Sequence, residues 1–273
     1  MRTLWFSKNG SWGVFALITA ILLSPCLGGE EVPEEVEAAR LTRNDAERGD
    51  AEGQRLLGLL YETGKGVPKD YGDAVKWYTR AAEQGDAIAQ TRLGMMYEMG
   101  RGVSRDNREA LKWYRLAVEQ EEATAQMRLG LIYEMGKGVP KDDFEAIKWY
   151  VLAVEQGDAP AQTRLGLMYE MGKGVPKNDV EAVKWYTLAA EQGDTLAQSK
   201  LAQMYLEGRG VTKNTIEALA WINIAAASGR ADDLRLRDDL ERGLGKEATL
   251  VAQKRSKDRF LEIEARKAKN DPE

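Results

Sequence analysis

The sequence predicts an all-α fold, a right-handed α/α superhelical solenoid of helical-hairpin repeats. Three observations predict it. Trp77, Trp113, Trp149, Trp185 and Trp221 stand thirty-six residues apart, and Tyr61, Tyr97, Tyr133, Tyr169 and Tyr205 keep the same interval. Between these markers the apolar residues recur at three- and four-residue spacing, the period of an amphipathic helix. Glycines punctuate the pattern in step, from Gly64 and Gly66 through Gly208 and Gly210.

Residues 1–28 form the first element, an expected signal peptide. Arg2 and Lys8 precede the apolar run SWGVFALITAILLSP, and the small residues of CLGG end it just before Glu30. That run is shorter than the about 20 residues a spanning helix needs, so no stable membrane span is expected after cleavage. The expected location is periplasmic or secreted. The alternative is membrane anchoring, through an uncleaved signal or a lipidated Cys26, although Pro25 stands where a lipidation signal has a small residue. Cleavage after Gly28 leaves no cysteine, and the whole chain has no histidine. Stability must then come from packing without disulfides.

Residues 29–49 are expected to be a linker and N-terminal capping helix. EEVEAARLTRNDAERGD sits in register with a second repeat helix, with Ala38 and Leu41 at the places of Ala74 and Trp77. Residues 50–229 should hold five 36-residue hairpins. In DAIAQTRLGMMYEM, Asp86 suits an N-cap, and Ala89, Leu93, Met96 and Tyr97 share a face. Gly100 then supplies the left-handed cap. The second helix opens on Asp106 and Glu109, spaced as a capping box, and continues its stripe through Ala110, Trp113, Tyr114 and Ala117. Gly85, Gly157, Gly193 and Gly229 close the second helices, with Glu121 in that place once.

Gly94, Gly130 and Gly166 lie mid-helix, where glycine costs about 1 kcal/mol relative to alanine. A tryptophan or tyrosine packed on bare backbone would explain them, and Ala202 in the last copy fits a demand for smallness. Residues 230–273 should form a C-terminal capping helix and a charged tail, anchored by Phe260, Leu261 and Ile263.

The unit AxxGxxYExGxGVxxDxxEAxKWYxxAAExGD resembles the Sel-one-like repeat family, relatives of the tetratricopeptide repeats. The resemblance implies a superhelical scaffold for protein–protein interaction, in a bacterial envelope or secretory pathway, regulating or assembling a partner complex. It assigns Leu93, Gly94, Tyr97, Gly100, Gly102, Trp113, Tyr114 and Ala117 to the framework. Some members brace each unit with a disulfide, which this chain cannot do.

Candidate partner-binding residues follow from periodic surface positions. Arg92, Arg128, Arg164 and Lys200 form either solvated or inter-repeat ion pairs or a basic ladder for carboxylates or an anionic polysaccharide. Met99, Met135 and Met171 share a position where Thr63 and Glu207 also occur, which fits packing against the GxGV connection or, as the functional alternative, a soft exposed stripe. The net charge of −5 disfavours nucleic acid as a partner. Lacking histidine, the chain lacks the usual neutral-pH base and a common zinc ligand, so no catalytic residue, metal or cofactor is expected. GKGVP has neither a GxxxxGK[ST] pattern nor a preceding strand, which argues against a phosphate cradle. Paired carboxylates could still act on glycans. That enzyme reading is the weakest, because the acids repeat at capping and solvent positions, and a polysaccharide-associated envelope protein ranks above it.

Overall fold

A computed structural model describes residues 34–270, and the expected signal peptide lies outside them. The described residues form an all-α solenoid of paired helices, with no strand among them. None of these helices is long and apolar enough to cross a membrane. Two compact units divide at Ser104 and Arg105.

The first unit contains α1 (Glu34–Glu47), α2 (Ala51–Thr63), α3 (Tyr71–Glu83) and α4 (Ala87–Met99). Each helix packs on the next in sequence. The second unit contains α5 (Asn107–Val118), α6 (Ala123–Met135), α7 (Asp143–Glu155), α8 (Ala159–Met171), α9 (Asp179–Glu191), α10 (Thr195–Glu207), α11 (Thr215–Ala226), α12 (Ala231–Gly243) and α13 (Lys246–Asn270). Neighbours again pack in order up to α12, but α13 breaks the pattern by packing along α11.

Local chemistry fixes the helix ends. Asp50, Asp86, Asp158 and Asp194 each accept from the third backbone N–H of the following helix, and Glu122 does the same for α6. Gly64, Gly100, Gly136, Gly172 and Gly208 end those helices at φ between 66° and 80°, the region a side chain disfavours. Glu121 holds φ 60° where its counterparts are glycine.

Only half of the expected capping box forms. Asp106, Asp142, Asn178 and Asn214 accept from two N–H groups of the next turn, as expected of their half of the box, and Asp70 does the same. The backbone N–H that Glu145 or Glu181 would have capped is already taken. Asp142 donates to the Tyr133 carbonyl at 3.0 Å, and Asn178 to Tyr169 at 2.9 Å, tying the turn to the preceding helix. Glu145 and Glu181 point outward to Lys148 and Lys184 instead.

The core corrects the role given to tryptophan. Tyr78, Tyr114, Tyr150 and Tyr186, each following a Trp, are fully buried. Trp77, Trp113, Trp149 and Trp185 are only half-buried, whereas Trp221 is buried. Adjacent helix positions differ by about 100° in direction, so Tyr faces the core and Trp its edge. The tyrosine ring therefore explains the mid-helix glycines. A Cβ on Gly58, Gly130 or Gly166 would fall 2.7, 2.5 or 2.7 Å from the rings of Tyr78, Tyr150 or Tyr186. In the last repeat Ala202 replaces glycine and Ile222 replaces tyrosine, a paired change of size.

The charged tail is the helix α13. Ala252 and Ile263 of α13 are buried, whereas Phe260 and Leu261, also expected as anchors, are exposed. Ile263 joins a cluster containing Trp221, Leu219 and Ile222.

Candidate interaction surfaces

Polar side chains first lock one repeat to the next. The Tyr78 hydroxyl donates to Glu62 at 2.7 Å, Tyr150 to Glu134 at 2.6 Å, and Tyr186 to Glu170 at 2.7 Å. The same carboxylates face the following repeat: Arg92 lies 3.7 Å from Glu62, Arg164 3.9 Å from Glu134, and Lys200 3.2 Å from Glu170. Arg209 adds a second cation to Glu170 at 3.0 Å. Arg92, Arg164 and Lys200 thus sit at repeat seams, and Arg128 occupies the corresponding position on α6.

Burial, followed by the hydrogen bond to a carboxylate, pushes the Tyr78, Tyr150 and Tyr186 hydroxyls well above the ordinary phenol range. Burial alone would raise the Glu170 carboxyl, but hydrogen bonds from Tyr186 and Arg209 and the neighbouring Lys200 charge hold it below its usual value. These groups stay in one protonation state near neutrality. They brace the stack rather than exchange protons.

A second polar row was not anticipated. Gln54, Gln90, Gln126, Gln162 and Gln198 are buried near the starts of the first helices. Gln54 donates to the Ala46 carbonyl at 3.2 Å, Gln90 to Ala82 at 3.1 Å, and Gln198 to Ala190 at 3.1 Å. Gln84, Gln156 and Gln192 donate in turn to Gln54, Gln126 and Gln162. Their thirty-six-residue spacing was the available signal, and the buried amides find partners at helix-end carbonyls, which also accept from the N–H groups of the turn glycines Gly49, Gly85 and Gly193.

Outside the framework, large apolar side chains also stay exposed at recurring positions. Met99 in the first unit is 39% accessible, and Met135 and Met171 in the second are 49% and 46% accessible. Leu116, Leu152 and Leu188 are also exposed on second helices, one turn beyond Trp113, Trp149 and Trp185. Sequence inspection passed over these leucines, although they too keep the period. Large apolar side chains left repeatedly in water suit recognition better than stability.

The recurring acids cap helices or pair with cations, and no cluster of three or more His, Cys, Asp or Glu fit to hold a metal occurs among the described residues.

A family profile described as Sel1 repeat matches residues 51–86, 87–121, 123–158, 159–194 and 195–229. The chain is similar to a protective antigen of uropathogenic Escherichia coli strains with an SLR fold, at 37% identity and TM-score 0.68, over 88% of this chain and 51% of that one. It thus spans about half the length of that relative. A Sel1 repeat protein from Oxalobacter formigenes is 36% identical at TM-score 0.69, over 81% of this chain and 91% of that chain. A Klebsiella pneumoniae structure described as a possible Sel1 repeat protein shares the fold at 24% identity and TM-score 0.50, covering 74% and 99% of the two chains. Curated proteins yield no match. With the repeat profile covering most of its length and the same paired helices in its relatives, the chain belongs to the Sel1 repeat family.

Proposed function

We propose that this protein is an exported protein–protein interaction scaffold of a bacterial envelope or secretory compartment, which assembles or regulates a partner complex. Its recurring tyrosine–glutamate and glutamine–glutamine pairs are hydrogen-bonded internally, while methionines and leucines recur on its outside. That separation is the observation that carries the reading. Met135 and Met171 occupy equivalent places in successive repeats of one unit, and Met99 holds the same place in the other. Unbranched thioether side chains adapt to a partner's contour at low conformational cost.

The basic ladder supports a protein partner over an anionic polysaccharide. Arg92, Arg164 and Lys200 each face a glutamate, and a polyanion would have to compete with those carboxylates. Export rests on the signal-peptide pattern of residues 1–28, with membrane anchoring through the uncleaved segment or Cys26 as the alternative.

The test is photo-cross-linking in the producing cell from a reactive residue placed at Met135, followed by mass spectrometry. One defined protein should be captured, and Met135→Glu with Met171→Glu should abolish its co-purification without altering the melting curve. Capture that ignores the paired substitutions would remove the methionines from the interface. Sequencing the mature N-terminus checks cleavage.

A further inference from the structure

We infer that the second helices of the unit beginning at Arg105 present a docking face for a basic amphipathic helix of a partner protein. That face is built on the pairs Trp113 with Leu116, Trp149 with Leu152, and Trp185 with Leu188. The inference rests on the scaffold reading and specifies the chemistry of the partner.

The last repeat shows the face occupied. Its equivalent pair is Trp221 with Ile224, and both belong to a cluster that includes Ile263 of α13. The Arg259 guanidinium lies over the Trp221 ring, 4.5 Å from its centre, and pairs with Glu217 at 2.6 Å. Arg255 joins it on Glu217, and Arg266 pairs with Glu191 at the end of α9, 3.1 Å away. Here a helix bearing arginines around one buried isoleucine covers a tryptophan between two acids.

The inner repeats carry the same elements without the covering helix. Leu116, Leu152 and Leu188 are about equally exposed, at 41%, 40% and 40%. Glu119 and Glu155 stand where Glu191 stands and are exposed. Glu145 and Glu181 stand where Glu217 stands, each paired with a lysine one turn on.

That lysine is the informative difference. The last repeat replaces it with Ala220, which leaves Glu217 to the arginines of α13. In the repeat before, Lys184 lies 5.1 Å from the centre of the Trp185 ring, in the role that Arg259 fills on Trp221. The inner lysines act as placeholders. Exposed, salt-screened lysine pairs yield readily to an arginine, whose flat guanidinium both stacks on indole and forks onto a carboxylate. Continuity with the α13 interface and the row of acids both select a helical, cationic occupant.

The probe is a labelled peptide with the sequence of residues 246–270, titrated onto the full-length chain, whose last repeat is already covered. Saturable binding is expected. Leu152→Glu with Leu188→Glu should weaken it by about tenfold or more, as should the changes Arg259→Glu and Ile263→Glu in the peptide. Helicity and melting of the protein should stay unchanged. Absence of saturable binding, or binding indifferent to the leucine substitutions, would overturn the docking face. Self-association of the full chain abolished by those substitutions would assign the face to a second copy and overturn the partner assignment. If a cellular partner still cross-links at Met135 while the peptide fails, the helix-docking inference falls and the scaffold reading stands.

Discussion

The inner repeats of the second unit and its last repeat start from one template and finish their surfaces differently. In α8 and α9, Gly166 receives the Tyr186 ring, Lys184 lies over Trp185, and Leu188 faces water. In α10 and α11, Ala202 faces the Ile222 position, Ala220 leaves Trp221 clear, and α13 covers the result. The last repeat is followed by α12 and α13 instead of another hairpin of the same pattern, and its side chains change in matched sets. Size changes inside the hairpin come paired, and charge changes outside accompany the helix that closes the stack.

The strongest way to break this comparison is Tyr150→Ala. It should cost about 3–5 kcal/mol, because it empties a buried ring site and strips Glu134 of its donor. Trp149→Ala should cost less, about 2 kcal/mol, since that side chain is only half-buried. Denaturant melts of the two variants decide which aromatic is the core residue. A larger loss at Trp149 would reverse the assignment.

Gly166→Ala should lose about 1–3 kcal/mol by pushing a methyl into the Tyr186 ring. Adding Tyr186→Ile, which reproduces the last repeat's pair, should recover part of that loss in a double-mutant cycle. Strictly additive effects would mean that glycine and tyrosine are not coupled.

The tyrosines also predict a response to alkali. Their folded pKa values are raised, while in the unfolded chain they ionise near about 10. Above that pH the unfolded state has lost protons the native state keeps, so stability falls as pH rises. Denaturation midpoints should drop above about pH 10, with phenolate absorbance from these residues appearing only on unfolding. The smallest effect expected is a gain. Glu121→Gly should stabilise by about 1 kcal/mol in the same melts, by relieving a left-handed conformation that its counterparts give to glycine.

Much of this was legible because caps and turns are local chemistry. Asp86, Asp158, Gly100 and Gly172 do what their positions foretell, since each acts within one turn of its own helix. The choice between neighbouring Trp and Tyr was not legible, because the apolar stripe is wide enough to admit both. The full capping box failed because a carbonyl from the preceding helix took the N–H first, a competition invisible in a four-residue pattern. The position of α13 was hidden by the loss of periodicity after Gly229. Its trace was the departure at Ala220, where the earlier repeats have lysine. Exposure at Met99, Met135 and Met171 follows from the tolerance of Thr63 and Glu207 at that place, but no sequence pattern says what they touch.

The tyrosine–glutamate–cation seams reach no farther than the adjoining repeat, as in Glu134, Tyr150 and Arg164. A genetic duplication or excision of one whole inner repeat would therefore leave a seam such as this one with its three members, whereas another length would orphan its carboxylate. The gene can lengthen or shorten this protein by unequal crossing-over in steps of one repeat, changing how much surface it offers without redesigning a single joint.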